Sequence, residues 1–189
     1  VYAGSSDGRL YAIDVASGAL RWKYETGDRI LGAANWFDPP RADAPWILVG
    51  SYDNKLHCVD SATGKRVWTY ETDNYVNGAP AVTGGKIIFG GCDAKIHVVS
   101  AETGKRVGAI DAESYIGASA AVSAGRVYVG NFGGQFLCAD VRTGAVVWKY
   151  GRKDEPFLSS AAVAADRVVV GSRDKLVHCL DRRSGRAIW

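Results

Sequence analysis

Near-copies of one short segment, recurring about every forty residues, restrict this chain more than any other feature of its sequence. Val1-Tyr2-Ala3-Gly4, Leu48-Val49-Gly50, Ile88-Phe89-Gly90, Tyr128-Val129-Gly130 and Val169-Val170-Gly171 each open one copy. The matching turns are Ser17-Gly18, Thr63-Gly64, Thr103-Gly104, Thr143-Gly144 and Ser184-Gly185. Gly4 to Gly50 is 46 residues and the later spacings are 40, 40 and 41, so one copy carries an insertion, at Asn35 to Pro45. A fixed period in this range belongs to stacked arrays, in which each unit hides a face on the next. A single-core enzyme domain has no reason to show it.

Within a copy the pattern reads as four short strands. In the third, Ala79 to Val82 is strand A, Lys86 to Gly90 strand B, Lys95 to Ser100 strand C and Lys105 to Ile110 strand D. Gly84-Gly85 turns A into B, and Cys92-Asp93-Ala94 turns B into C. The strands are almost continuously apolar, as in Lys86-Ile87-Ile88-Phe89, which predicts sheets covered on both faces. With 23 glycines and no long amphipathic helical run, the chain reads as all-β.

The corner between strands C and D is the most regular part. It reads Asp14-Val15-Ala16-Ser17-Gly18, and Asp60 to Gly64, Asp140 to Gly144 and Asp181 to Gly185 repeat it. The carboxylate can accept backbone N–H groups two and three residues on, and glycine takes the positive φ that closes the turn. Four residues after each glycine stands Trp22, Trp68, Trp148 or Trp189, with Gly108 in the third copy. A ring at one fixed place per unit predicts a wedge between neighbours, its N–H aimed at a backbone acceptor. The third copy, with Gly108 and with Ser100 for the aspartate, is expected to lack both the wedge and the turn acceptor.

Ala12-Ile13-Asp14-Val15-Ala16-Ser17-Gly18-Ala19-Leu20-Arg21-Trp22 resembles the Ala-x-Asp-x-x-Thr-Gly-x-x-x-Trp pattern of the PQQ-like repeat family. Cys58 to Trp68 and Cys138 to Trp148 match with cysteine for the leading alanine. The resemblance covers the entire chain and implies a tryptophan-docked β-propeller, as in quinoprotein dehydrogenases and in the lipoprotein of the outer-membrane β-barrel assembly machinery. It chooses no function among them. Strand counting gives three strands of a first blade (1–26) and four full blades (27–72, 73–111, 112–151 and 152–189). The chain then reads as an arc of a seven- or eight-bladed ring, or as a five-bladed ring lacking one strand. No methionine occurs and Val1 falls inside a repeat, which reads as a processed or truncated piece. An arc would leave apolar blade faces open to self-association.

Several chemistries are disfavoured. Net charge is +3 with basic residues spread through the turns, so no nucleic-acid or anionic-membrane partner is expected, and no apolar run is long enough for a transmembrane segment. Cys58, Cys138 and Cys179 share one register in different blades and Cys92 sits in a turn, which predicts buried free thiols. His57, His97 and His178 share the register that Tyr11 and Leu137 fill elsewhere, which reads as packing, and no metal site is expected. No nucleophile elbow, phosphate loop or His-Glu-x-x-His motif is present.

Function is sought where the copies differ. The loops entering strand A, beside a propeller's axis, carry Asp28-Arg29, Asn74-Tyr75, Ser114-Tyr115 and Glu155-Pro156-Phe157. From these, Arg29, Asn74, Tyr75, Ser114, Tyr115 and Phe157 are candidate peptide- or ligand-binding residues. The insertion adds Trp36, Phe37 and Trp46 as apolar anchors on a proline-stiffened loop. The reading is a non-catalytic scaffold or binding propeller with a protein or peptide partner. The resemblance also permits a quinoprotein dehydrogenase holding pyrroloquinoline quinone and calcium, or a sensor or accessory repeat domain of a larger protein. Catalytic members usually carry adjacent cysteines over the quinone, and no Cys-Cys pair occurs here. The resemblance implies a periplasmic or extracellular place, against which the unpaired cysteines weigh.

Overall fold

Hydrogen bonding between consecutive hairpins generates five antiparallel sheets. A computed structural model describes residues 1–151 and 154–189; the first two positions of the expected fifth blade lie outside the described residues. The first sheet contains β1 (Tyr2–Gly4), β2 (Arg9–Ile13) and β3 (Leu20–Glu25). The second contains β4 (Asn35–Phe37), β5 (Trp46–Gly50), β6 (Lys55–Asp60) and β7 (Arg66–Glu71). The third contains β8 (Ala81–Thr83), β9 (Lys86–Gly90), β10 (Lys95–Ser100) and β11 (Arg106–Asp111). The fourth contains β12 (Ala121–Ser123), β13 (Arg126–Gly130), β14 (Gln135–Asp140) and β15 (Val146–Gly151). The fifth contains β16 (Ala162–Val163), β17 (Arg167–Gly171) and β18 (Val177–Asp181). Its fourth strand is reduced to a Leu180–Ala187 bridge and the Cys179–Trp189 and Ile188–Cys179 backbone bonds. No helix occurs among the described residues.

Strands β4, β8, β12 and β16 pack side by side, so they form the inner ring of the array. Antiparallel order then puts the A–B hairpins and C–D corners at one end of the strands, and the B–C turns and D–A loops at the other. The middle strands are the core. Leu48, Leu56, Ile87, Phe89 and Val99 form one fully buried inter-blade cluster, and Ile88, Ile96, Val127, Val129 and Leu137 the next. Both faces of the second, third and fourth sheets are covered, which is why their middle strands show no polar alternation, whereas β2 and β17 alternate in burial.

The tryptophans dock as the sequence predicts. Trp22 donates its indole N–H to Ser61 O at 2.9 Å, Trp68 to Ala101 O at 3.2 Å and Trp148 to Arg182 O at 3.1 Å, each reaching the next blade's corner. The corner glycine is what admits the ring. A Cβ on Gly64, Gly104 or Gly185 would stand 2.6 to 2.8 Å from the docked indole, and all three have φ near +70°. Asp14, Asp60 and Asp140 each accept two backbone N–H groups within their own corners, and Asp181 accepts one. Those bonds, with the Ser17 and Arg21 side chains, hold the Asp14 carboxyl at a pKa of about 2.

Two expectations need correction. Ser100 does supply a turn acceptor, because its Oγ accepts Thr103 N at 3.3 Å and Gly104 still closes the corner onto its carbonyl. The insertion is not one loop from Asn35 to Trp46. Asn35–Phe37 is an inner strand paired with β5, so the added length is only the A–B hairpin from Asp38 to Pro45. Proline cannot donate to a ladder, and Pro39, Pro40 and Pro45 mark where pairing is interrupted.

Candidate functional site

The loops that enter strand A are built on one anchoring residue each. Ile30, Val76, Ile116 and Phe157 are at most 2% exposed. They press on the glycine that ends strand B; a Cβ on Gly4, Gly50, Gly90 or Gly130 would come within 2.2 to 2.4 Å of them. The anchor's predecessor is thereby pushed to the mouth, and these residues are Arg29, Tyr75, Tyr115 and Pro156. Each offers its carbonyl to the following blade's B–C turn: Tyr52 N donates to Arg29 O at 3.0 Å, and Cys92 N to Tyr75 O, Phe132 N to Tyr115 O and Arg173 N to Pro156 O at 2.9 Å.

These bonds interleave two sets of loops into one rim. Tyr52 and Tyr75 stack with ring centroids 4.4 Å apart and planes at 19°, and the Arg29 guanidinium caps Tyr52 at 4.6 Å. Tyr75 is 42% exposed, Tyr115 57% and Phe132 42%, so the rim presents rings to solvent instead of plugging the axis with them. Acidic groups flank it. Lys95 binds Asp73 at 2.7 Å and Lys149 binds Glu113, and each lysine pulls its partner's carboxyl below the ordinary carboxylate value.

The structure thus links Arg29 and Tyr75 through Tyr52, repeats the Tyr75 register at Tyr115 on the next loop, and sets the other candidates apart. Asn74 and Ser114 shape the loops; the Asn74 carboxamide accepts Tyr75 N at 2.8 Å. Phe157 is corrected from binding residue to core residue, because it stands in the register of Ile30, Val76 and Ile116 and packs against Phe136 and Tyr150. Trp36, Phe37 and Trp46 lie at the far end of the strands. Phe37 and Trp46 meet edge to face at 6.2 Å over the core, while Trp36 remains 56% exposed. Tyr52 and Phe132 escaped the sequence reading. Their counterparts in neighbouring turns are Cys92 and Arg173, so only topology reveals that they join the rim.

A second constellation looks catalytic in composition. Tyr24, His57 and Asp53 are linked at 2.9 and 3.0 Å, Tyr70, His97 and Asp93 at 3.1 and 3.0 Å, and Tyr150, His178 and Asp174 at 3.0 and 2.9 Å. In each, the carboxylate takes the imidazole Nε2 proton and leaves Nδ1 to accept the tyrosine hydroxyl. The tyrosine belongs to strand D of one blade and the other two residues to the next, so the register that read as packing is a polar tie across a seam. Burial holds the His97 imidazole below its ordinary pKa. The seam between the third and fourth blades replaces all three members together, with Ile110, Leu137 and Gly133.

Among the described residues no three His, Cys, Asp or Glu side chains converge on one point, and Cys58, Cys92, Cys138 and Cys179 are buried free thiols.

The profile of the family described as outer membrane protein assembly factor BamB matches residues 6–107 and 92–189, nearly the whole chain. The chain belongs to this family. BamB from Moraxella catarrhalis superposes with a TM-score of 0.82 at 24% identity, over 100% of this chain and 56% of that one. The computationally designed Ika8 protein superposes at 0.80 and 18% identity, over 95% and 54%. The chain therefore spans about half the length of these two solved structures. No curated protein matches it.

Proposed function

We propose that this BamB-family chain is a non-catalytic scaffold that holds an extended segment of a protein partner across the channel-mouth rim. The observation that carries the reading is the series of exposed Arg29, Tyr75, Tyr115 and Phe132, with half-buried Tyr52 stacked between Arg29 and Tyr75, on loops where the blades differ, over a framework where they agree. Half-exposed rings beside a guanidinium offer flat apolar contact with little conformational entropy left to lose, as peptide-binding surfaces do. The description of the family as an outer membrane protein assembly factor supports a partner among outer-membrane proteins being assembled, and a place outside the cytoplasm.

The test is selection of peptides on the full chain, then titration of the best binder against the Tyr75→Ala/Tyr115→Ala variant. Binding is expected to weaken by at least about tenfold, equivalent to roughly 1.4 kcal/mol, with the melting temperature unchanged. Equal affinity would overturn the rim as the site. Dye-linked alcohol oxidation after addition of pyrroloquinoline quinone and calcium would overturn the scaffold reading itself.

A further inference from the structure

The topology sorts charge by end. Among the described residues, the end bearing the A–B hairpins and C–D corners carries thirteen Lys and Arg against eight Asp and Glu, and the rim end eight against twelve. The basic excess is focused at one seam. A cavity of 510 Å³ between the fourth and fifth blades is lined by Arg126, Arg182, Arg183, Tyr128, Asp166 and Asp181.

One of its three arginines is specific to this seam's corner. The residue after the corner aspartate is Val15, Ser61 or Val141 in other blades, and here it is Arg182. Its neighbour Arg183 stands where Ala16, Ala62, Glu102 and Arg142 do. Arg182 lies half-buried against Tyr128. Its Nε donates to the Tyr128 hydroxyl at 2.9 Å, one Nη to Ala164 O and Ala165 O at 3.0 and 3.3 Å, and the other Nη to Ser123 Oγ at 2.9 Å. Four of five guanidinium N–H groups are thus fixed on neutral acceptors. One donor and the whole positive charge remain.

The carboxylates do not neutralise it. Asp181 accepts Ser184 N and Oγ at 2.8 and 2.6 Å, and Asp166 faces Arg167 at 3.4 Å. Among the described residues no carboxylate stands at ion-pair distance from Arg126, Arg182 or Arg183. A rigid guanidinium without a counter-ion, with two further arginines on the same cavity, is a preorganised anion site.

We infer that this seam cavity binds a phosphate group, free or on a small phosphomonoester or lipid headgroup. With Asp166 and Asp181 also on the cavity, its three arginines still leave net positive charge, which favours a phosphate group, whose oxygens can accept from more than one guanidinium, over a single carboxylate. The site is independent of the rim, which lies at the other end of the strands.

Calorimetric titration of the full chain at constant ionic strength, with inorganic phosphate, glycerol 3-phosphate and citrate, tests it. Vesicles of phosphatidylglycerol form a separate arm. Saturable binding of a phosphate probe is expected, weakened at least about tenfold in Arg126→Ala/Arg183→Ala. That variant leaves the Arg182 bonds intact, and its melting temperature checks that it folds. Vesicle binding lost in the variant assigns the phosphate to a headgroup; binding of soluble probes alone assigns it to a free phosphate or phosphomonoester. No saturation with any phosphate probe or vesicle, equal affinity in the variant, or citrate binding as tightly as phosphate would overturn the inference.

Discussion

Trp148 shows what a single repeated residue contributes. Its ring is 8% exposed, lies 6.0 Å from both Tyr128 and Phe136, and donates across the seam to Arg182 O. Trp148→Ala is therefore expected to cost about 3 to 5 kcal/mol in chemical denaturation, from lost transfer energy and the cavity left behind. Trp189 occupies the same place in the motif yet is 64% exposed, so Trp189→Ala should cost under about 0.5 kcal/mol. Equal losses would show that the motif stabilises each blade internally and not its neighbour. His97 makes a second prediction at this scale. With its folded pKa below the ordinary value, the unfolded chain binds more protons as pH falls through about 6.5, so stability must drop there. The lowered carboxyls, such as Asp53 and Asp174, act in the same direction in a separate, lower window, stabilising above the ordinary carboxylate pKa and losing that contribution only in stronger acid. Urea midpoints at pH 7 and pH 5 should therefore differ less in His97→Leu than in the parent, and an unchanged difference would remove histidine from the account.

At the scale of the element, the seams fall into two chemical types. Three carry a docked indole and a Tyr–His–Asp tie, or, at the fourth and fifth blades, those plus the arginine cavity. The seam between the third and fourth blades has Gly108, Ile110, Leu137 and Gly133 instead, and packs through Ile110, Leu137 and Val141. A Cβ on Gly108 would meet nothing within 4 Å, and one on Gly144 would meet only Ile110 at 3.9 Å. Gly108→Trp is thus expected to raise stability by about 1 kcal/mol, read as a higher melting temperature, by restoring the wedge; a fall would mean that Ile110 and Val141 already fill that space. Elements also show what was legible in sequence. The Asp to Trp corner was readable because its parts act within a few residues of one another or on the identical part of the next blade. Tyr52 and Phe132 were not, because a B–C turn meets a D–A loop only after two blades have packed. Phe157 misled for the opposite reason: it shares a loop with the rim residues but stands one register later, on the core side. The short strand Asn35–Phe37 was hidden by the prolines that follow it.

For the whole molecule, repetition and variation divide the work. Positions that recur, namely the corner aspartates, the two glycine registers and the indoles, are consumed by turns within blades and contacts between them, and they leave little chemistry for a ligand. Positions that vary collect at the two ends of the strands, where an aromatic rim faces one way and an arginine-lined cavity the other. That arrangement is open to a direct measurement: peptide affinity and melting temperature on the same set of variants. The account predicts that Tyr75→Ala/Tyr115→Ala loses at least about tenfold in affinity at an unchanged melting temperature, while Gly185→Ala, whose Cβ would stand 2.6 Å from the Trp148 ring, melts lower and still binds where it is folded. Peptide binding that survives at the rim variant, or that follows seam stability across all variants, would contradict it.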